Sequence, residues 1–282
     1  YSSVPVNIGE MQNKGYEVEV KWREDIGDFN YWISANVSYA RNKIIEMDEI
    51  PQPEEYMNKT GLPHLTPFGY KFDGFFTQED IDVGDYPDHL FTPSPGDMKY
   101  KDLNNDGIIN QNDVTAIGYS RIPEYTAGAN LGFMFKKFEL SMSWVGATNV
   151  TRNLGETYRV AFGATNDRSL MKYMADGRWT PETADTATYP RLTLAGVQHN
   201  TKDSDFWLRD ASYIRLKSAE IAYNFENNFL KGIGVESLRL YMNGFNLFTF
   251  SRLKMTDPEA NTANDSQYPV VKIYNIGLKT NF

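Results

Sequence analysis

From Phe29 to Tyr39 every second residue is apolar: Phe29, Tyr31, Ile33, Ala35, Val37 and Tyr39 alternate with Asn30, Trp32, Ser34, Asn36 and Ser38. Strand side chains point alternately to opposite faces, so this segment predicts a strand with one apolar and one largely polar face. The preceding segment sets Tyr16, Val18, Val20 and Trp22 against Glu17, Glu19, Lys21 and Arg23, and only residues 24–28 separate the two, which predicts a hairpin. The same period runs through Ala127, Ala129, Leu131, Phe133 and Phe135, and after Lys136-Lys137 through Phe138, Leu140, Met142 and Trp144. It returns at Ala219, Ile221, Tyr223 and Phe225, at Leu238, Leu240 and Met242, and at Tyr274, Ile276, Leu278 and Phe282. The pattern predicts about seven long strands and an all-β fold.

Alternation alone also fits a soluble sandwich. The connections discriminate better. Short links (24–28, 136–137 and 226–236) take turns with long ones (44–124, 146–205 and 251–269). Short turns at one end and long loops at the other are the habit of transmembrane antiparallel β-barrels, whereas loops this long are uncommon in compact soluble domains. Seven strands cannot close a wide barrel, and open edges do not survive in lipid, so further strands are expected upstream.

Composition agrees. The chain of 282 residues holds 18 Tyr and 17 Phe, and amphipathic rings suit the membrane–water boundary. A formal charge of -9 argues against a nucleic-acid partner, which needs clustered Lys and Arg. With no cysteine, disulfides, thiolate metal sites and Cys nucleophiles are excluded. No apolar run approaches the roughly 18 residues of a membrane helix. The chain opens on Tyr1 rather than Met and is read as a piece whose start and targeting signal lie upstream.

Several blocks resemble the C-terminal region of SusC/RagA-type TonB-linked outer-membrane proteins. They are Val6–Glu10 with Asn13–Glu17, Gly69–Phe76, Gly96–Gly107, Phe206–Lys217, Asn243–Thr249, and the ending from Tyr268-Pro269 to Phe282. The resemblance implies that residues 1–282 are the C-terminal portion of a roughly 22-stranded plugged barrel in the cell outer membrane. It also implies a SusD-like surface lipoprotein as lid, energy from TonB through the missing N-terminal part, and an oligosaccharide or peptide cargo. The alternative is a secreted, calcium-stabilised all-β glycan-binding module.

The sharpest local motif lies in the long outer loop 44–124. Asp102, Asn104, Asp106, Ile108, Asn110 and Asp113 fall on the six ligand positions of a calcium loop, with Gly107 at its sharp turn. Ile108 would give a backbone carbonyl and Asn110 would act through water. Asp113 replaces the usual Glu and reaches less far, so weaker Ca²⁺ binding, or Mg²⁺, is expected. The cation would pin the loop.

Other candidates point to no catalysis. His64, His89 and His199 have no paired spacing and are expected as scattered surface residues. Asp80, Asp82, Asp85 and Asp88 read as a solvated acidic loop without the rigid carboxylate pair of a glycosidase. Trp179, Trp207, Tyr158 and Tyr173 could stack on sugars, but packing of loop against loop is favoured for each. Trp22, Trp144, Tyr223 and Phe282 are assigned to the lipid-facing surface or its interfacial girdle.

Overall fold

The computed structural model describes residues 7–163, 169–194, 198–225, 234–260 and 270–282. Most of the 226–236 link, together with Val6 and Tyr268-Pro269 of the family blocks, lies outside them. Seven strands form one antiparallel sheet in strict chain order: β1 (Glu10–Ile26), β2 (Phe29–Glu46), β3 (Tyr125–Phe135), β4 (Phe138–Thr148), β5 (Tyr213–Phe225), β6 (Ser237–Ser251) and β7 (Ile273–Asn281). The expected strand number holds, but the strands run longer than the alternation. The first turn is only Gly27-Asp28, with Gly27 at φ 61°, a conformation that glycine takes without penalty.

The register keeps one face apolar across the sheet. Val18, Val37 and Ala127 pair in one row, Trp22, Ile33, Leu131 and Met142 in another, and Leu140, Ile221, Met242 and Ile276 in a third. Among the described residues nothing covers this face: Val18, Ile33, Met242 and Ile276 are 41 to 78 % exposed. An apolar surface of this extent is not left to water. Rings border it at both ends. At the long-loop end Tyr16, Tyr39 and Tyr125 form a row with centroids 5.4 and 4.6 Å apart. At the short-turn end Phe29, Phe133 and Phe138 follow at 5.7 and 6.3 Å. Tyr31 and Tyr39 are eight residues apart, about 26 Å along a strand and less along a tilted one, which matches an apolar band about 25 Å tall. Of the expected lipid-facing aromatics, Trp22, Trp144 and Tyr223 lie on this face, and Phe282, just beyond β7, is 84 % exposed.

The opposite face is largely polar. Arg239 bridges Glu139 and Glu220 at 2.6 Å each, Asn243 donates to Glu220 at 3.1 Å, and Asn275 donates to Asn243 at 2.9 Å. This network joins β4 to β7. One sequence-level parity fails here. Counting back from Phe225, Tyr223, Ile221 and Ala219 in twos would put Arg215 on the apolar face. A register shift between Leu216 and Ser218 inserts Lys217, so Ile214 and Leu216 take the apolar face and Arg215 the polar one.

The long connections fold together over one end of the sheet. The segment 47–124 supplies Tyr70, Met98, Tyr100 and Ile109, and the segment 149–212 supplies Leu154, Ala161, Met174, Tyr189 and Trp207, to one shared core. Asp97, fully buried, accepts from Arg191 Nε at 2.7 Å, Asn200 Nδ2 at 2.9 Å and the Ser94 amide at 2.9 Å. Gly96 before it has φ 89°, and a Cβ there would stand 2.6 Å from the Trp179 ring. The expected packing role of the loop aromatics is what appears: Trp207 is fully buried, Trp179 is 9 % exposed, and Tyr158 and Tyr173 pack against the core.

The third long connection is tied down by Arg215, which is 1 % exposed. Its guanidinium meets Asp257 and Glu259 at 2.6 Å each, its Nε donates to Thr249 at 3.0 Å, and Tyr213 donates to Glu259 at 2.6 Å. Replacing Arg215 by Met leaves two like charges facing each other, although both keep some solvent. The cost is expected near 3 kcal/mol, roughly the low end for a broken buried pair. Hydrogen exchange of residues 252–260 should then accelerate roughly a hundredfold while the paired amides of β5 and β6 stay protected. Unchanged exchange in 252–260 would show that the segment is held by other means.

Candidate functional site

The acidic turn is built before any ion is considered. Gly107 N–H donates to Asp102 Oδ2 at 2.8 Å, Asp106 N–H to Asn104 Oδ1 at 3.1 Å, and Ile108 N–H to Asp106 Oδ1 at 2.8 Å. The last two are Asx-type bonds, and the three together curl the chain around a centre. Asn105 and Gly107 take φ 59° and 83°, which closes the curl. Asp113 is fully buried, and its two oxygens accept from Leu103 N–H and Asn110 N–H at 2.8 Å each. The turn is fastened to the segment before it, because Asp88 N–H donates to the Gly107 carbonyl and Ile109 N–H to that of Asp88.

Two observations bear on a cation. Asp102 Oδ1 is buried without a hydrogen-bond partner, an arrangement a cation would relieve. Among the described residues no three His, Asp or Glu are grouped to hold a metal. A site here would therefore rest on the Asn104 amide and the Ile108 carbonyl as well as on carboxylates. Asn110 already donates to the Ile108 carbonyl at 3.3 Å.

Of the other acidic residues, Asp80 caps a short helix (Gln78–Val83) through Thr77 and pairs with Lys99 at 3.0 Å. Partial burial, the largest single influence, pushes its carboxyl up, yet Thr77 and Lys99 together outweigh it and hold the group below the usual carboxylate range. Asp82 accepts from Gln78 at 2.8 Å.

The histidines depart from expectation. His89 and His199, 2 % and 5 % exposed, lie in the loop core with ring centroids 5.3 Å apart. His89 Nδ1 donates to the Pro87 carbonyl at 2.6 Å and Nε2 accepts the Tyr100 N–H at 3.2 Å, which requires the neutral ring. His199 Nε2 donates to the Met98 carbonyl at 3.0 Å and its ring stacks on Phe91 at 4.1 Å. No local spacing announces this pair, because its members lie far apart in the chain. Burial lowers both basicities and, with the charge of Lys202 nearby and that of His89 once acid protonates it, takes His199 down to about 3. A depressed folded-state value gives stability that is complete above the unfolded value, about 6.5, and drains away as pH falls towards 3. At pH 4.5 the His199 contribution is a loss of roughly 2–3 kcal/mol from the loop core. Exchange protection of residues 98–100, corrected for intrinsic rates, should fall between pH 7 and pH 4.5. A His199→Phe variant should show a flatter profile.

Two adjoining clefts of about 460 Å³ each open between the loops. Both are lined by Leu65, Arg121 and Arg152, and no sequence pattern points to either. The second also reaches Thr126, Ala147 and Tyr213, residues on the polar face at the long-loop ends of β3, β4 and β5. Together the two clefts extend from the loops to the polar side of the sheet.

No family model matches this chain. It is similar over its whole length to TonB-dependent receptors P3 and P26 of Formosa agariphila, at 28 % and 29 % identity, each time covering 30 % of the relative. TonB-dependent receptor SusC of Bacteroides thetaiotaomicron is 22 % identical over 98 % of the chain and is covered to 27 %. The chain therefore spans less than a third of the length of the curated relatives it matches. Among solved structures, the RagAB peptide transporter aligns over 98 % of the chain with a TM-score of 0.75 at 22 % identity, covering 29 % of that protein's chain. The RagAB peptide importer in its open-open state aligns over 97 % with a TM-score of 0.73, again at 22 % identity and 29 % of that chain. In sequence this chain is similar to a stretch of TonB-dependent receptors, SusC among them, and in fold to the corresponding stretch of the RagAB transporter.

Proposed function

We propose that the protein is a SusC-like importer that takes up breakdown products of a polymer, with this chain supplying part of the barrel wall and its outer mouth. The observation that carries the reading is the sheet itself. An apolar band bordered by rings backs a polar face, and clefts between the loops extend onto that polar face. In a barrel the apolar side meets lipid and the polar side lines the conduit. The work assigned to these residues is binding and passage, with no catalytic group. The energy would come from TonB, and a SusD-like lipoprotein would cover the loop end. The cargo class is an oligosaccharide or a peptide; the RagAB proteins of similar fold are described as a peptide importer. A secreted glycan-binding module is the weaker reading, because it calls for strands whose faces suit water.

The test uses the full-length protein in its own outer membrane. Labelled oligosaccharides and peptides are offered to cells with and without TonB, and the protein is purified gently to identify co-purifying lipoproteins. TonB-dependent uptake together with a bound lipoprotein is the expected result. Uptake that persists without TonB, or a protein recovered from the soluble fraction, would overturn the reading.

A divalent cation, Ca²⁺ with Mg²⁺ as the alternative, is proposed for the turn 102–113. The buried, unpartnered Asp102 Oδ1 supports it. Asn104, Asp106 and the Ile108 carbonyl complete the near side, Asn110 acts through water, and Asp113 uses the second lone pair on its already bonded oxygens. The ion would supply rigidity to the loop. Adding Ca²⁺ to chelator-treated protein should slow exchange of amides 102–113, and Asp102→Ala should remove that response. Equal protection with and without Ca²⁺ would mean that the backbone bonds of the turn suffice.

A further inference from the structure

The two joined clefts carry charge of the opposite sign to the molecule as a whole. The chain has a formal net charge of -9. The first cleft nevertheless brings Arg121, Arg152 and Arg159 together against one carboxylate, Glu156. In the second, Arg121 and Arg152 meet Glu259, whose carboxylate is already engaged by Arg215 and Tyr213.

The three guanidiniums are not equally available. Arg159 is spent on Asp203 at 2.8 Å and on the Leu154 and Thr201 carbonyls. Arg152 donates to the Pro258 carbonyl at 3.5 Å and makes a further contact within the chain. Arg121 is exposed and makes no hydrogen bond or ion pair with any described residue. It lies at the junction of the clefts beside Leu65, which holds φ 63° and is 39 % exposed. A non-glycine residue kept left-handed costs free energy, and such residues gather where a surface is shaped for a ligand. Tyr119, 47 % exposed, adds a ring face to the first cleft.

We infer that these clefts receive the oxyanion of a negatively charged cargo, a carboxylate or sulfate, on Arg121 and Arg152, with the adjoining residue of the cargo lying against Leu65 and Tyr119. The inference rests on the import reading and narrows its substrate class. Guanidinium groups match carboxylate and sulfate geometry with paired N–H donors, and a planar fork suits an oligomer moving past better than a compact ammonium does. The oxyanion has two sources, a uronate or sulfated sugar and an acidic peptide side chain. Both present the same chemistry to these two arginines.

The test compares three probes of equal length on the purified full-length protein with its lipoprotein: an oligogalacturonate hexamer, a neutral maltohexaose and a hexaglutamate peptide. Binding is followed by calorimetry at low and moderate salt. The expected result is binding of at least one acidic probe and a weaker response to maltohexaose. Affinity for the acidic probe should fall about tenfold or more in Arg121→Gln, recover in part in Arg121→Lys, and weaken as salt rises. Which acidic probe binds tells a sugar source from a peptide source. Arg121 is exposed and unpaired among the described residues, so the variant should fold, which is checked by the heat-dependent gel shift of the barrel. If maltohexaose alone binds, if no acidic probe binds, or if Arg121→Gln leaves acidic-probe affinity unchanged, the inference is overturned. TonB-dependent uptake of neutral probes in the same strain would then leave the import reading standing.

Discussion

The structure depends on one requirement: in lipid every backbone N–H and C=O must find its partner within the protein, at a cost of several kcal/mol for each that does not. Strand pairing meets it only if neighbouring strands stay in register, and register in turn decides which side chains meet lipid. A slip of one residue would turn the apolar set of a strand to the polar side. The seven strands therefore share a single solution, in which the rows from Val18 to Ala127 and from Leu140 to Ile276 keep the same face. Lys217 shows how strictly this holds. Its insertion at the register shift interrupts the ladder locally, and it thereby keeps the Arg215 guanidinium off the apolar side.

Beyond the bilayer the rule relaxes. β1 and β2 have 17 and 18 residues, well past the roughly 9–11 that a tilted strand needs to cross. The surplus carries Lys14, Arg41 and Lys43, and the tyrosine row of Tyr16, Tyr39 and Tyr125 marks where the apolar band ends. The alternation that identifies the strands belongs to the lipid-crossing part, so their number and pairing are legible in the sequence. The charged extensions carry no apolar period, and strand ends set by alternation fall short for that reason.

The loop region is legible only in part. The acidic turn stands out because its residues are adjacent in sequence and its bonds are local. The packing of Trp207 and Trp179 follows from ordinary burial of large rings. The His89–His199 pair, the ties of Arg215 to Asp257 and Glu259, and the cleft around Arg121 are contacts between segments far apart in the chain, and no local period encodes them. Arg215 is the instructive case. It lies inside the recognisable block Phe206–Lys217, yet counting in twos assigns it to the wrong face. Only the shift at Lys217 gives it the right one.

The three long connections are also fastened to one another, which constrains how the outer mouth can move. Asp203 and Asp205 of the second hold Tyr70 and Phe72 of the first: Tyr70 N–H donates to the Asp203 carbonyl at 2.9 Å and Phe72 N–H to Asp205 Oδ1 at 2.8 Å. Gly69 permits the approach, since a Cβ there would stand 2.4 Å from the Asp203 carbonyl oxygen. The third connection reaches the second through Arg152 and the Pro258 carbonyl, and reaches β5 through Arg215. Opening any one of them alone would bare the shared core around Trp207 and Tyr100 or strand Arg215 beside broken partners. Both costs are substantial, because buried groups left without partners are penalised individually. The clefts are themselves lined by all three, Leu65 and Arg121 from the first connection, Arg152 from the second and Pro258 and Glu259 from the third, so their shape is set by the packing of the whole cap.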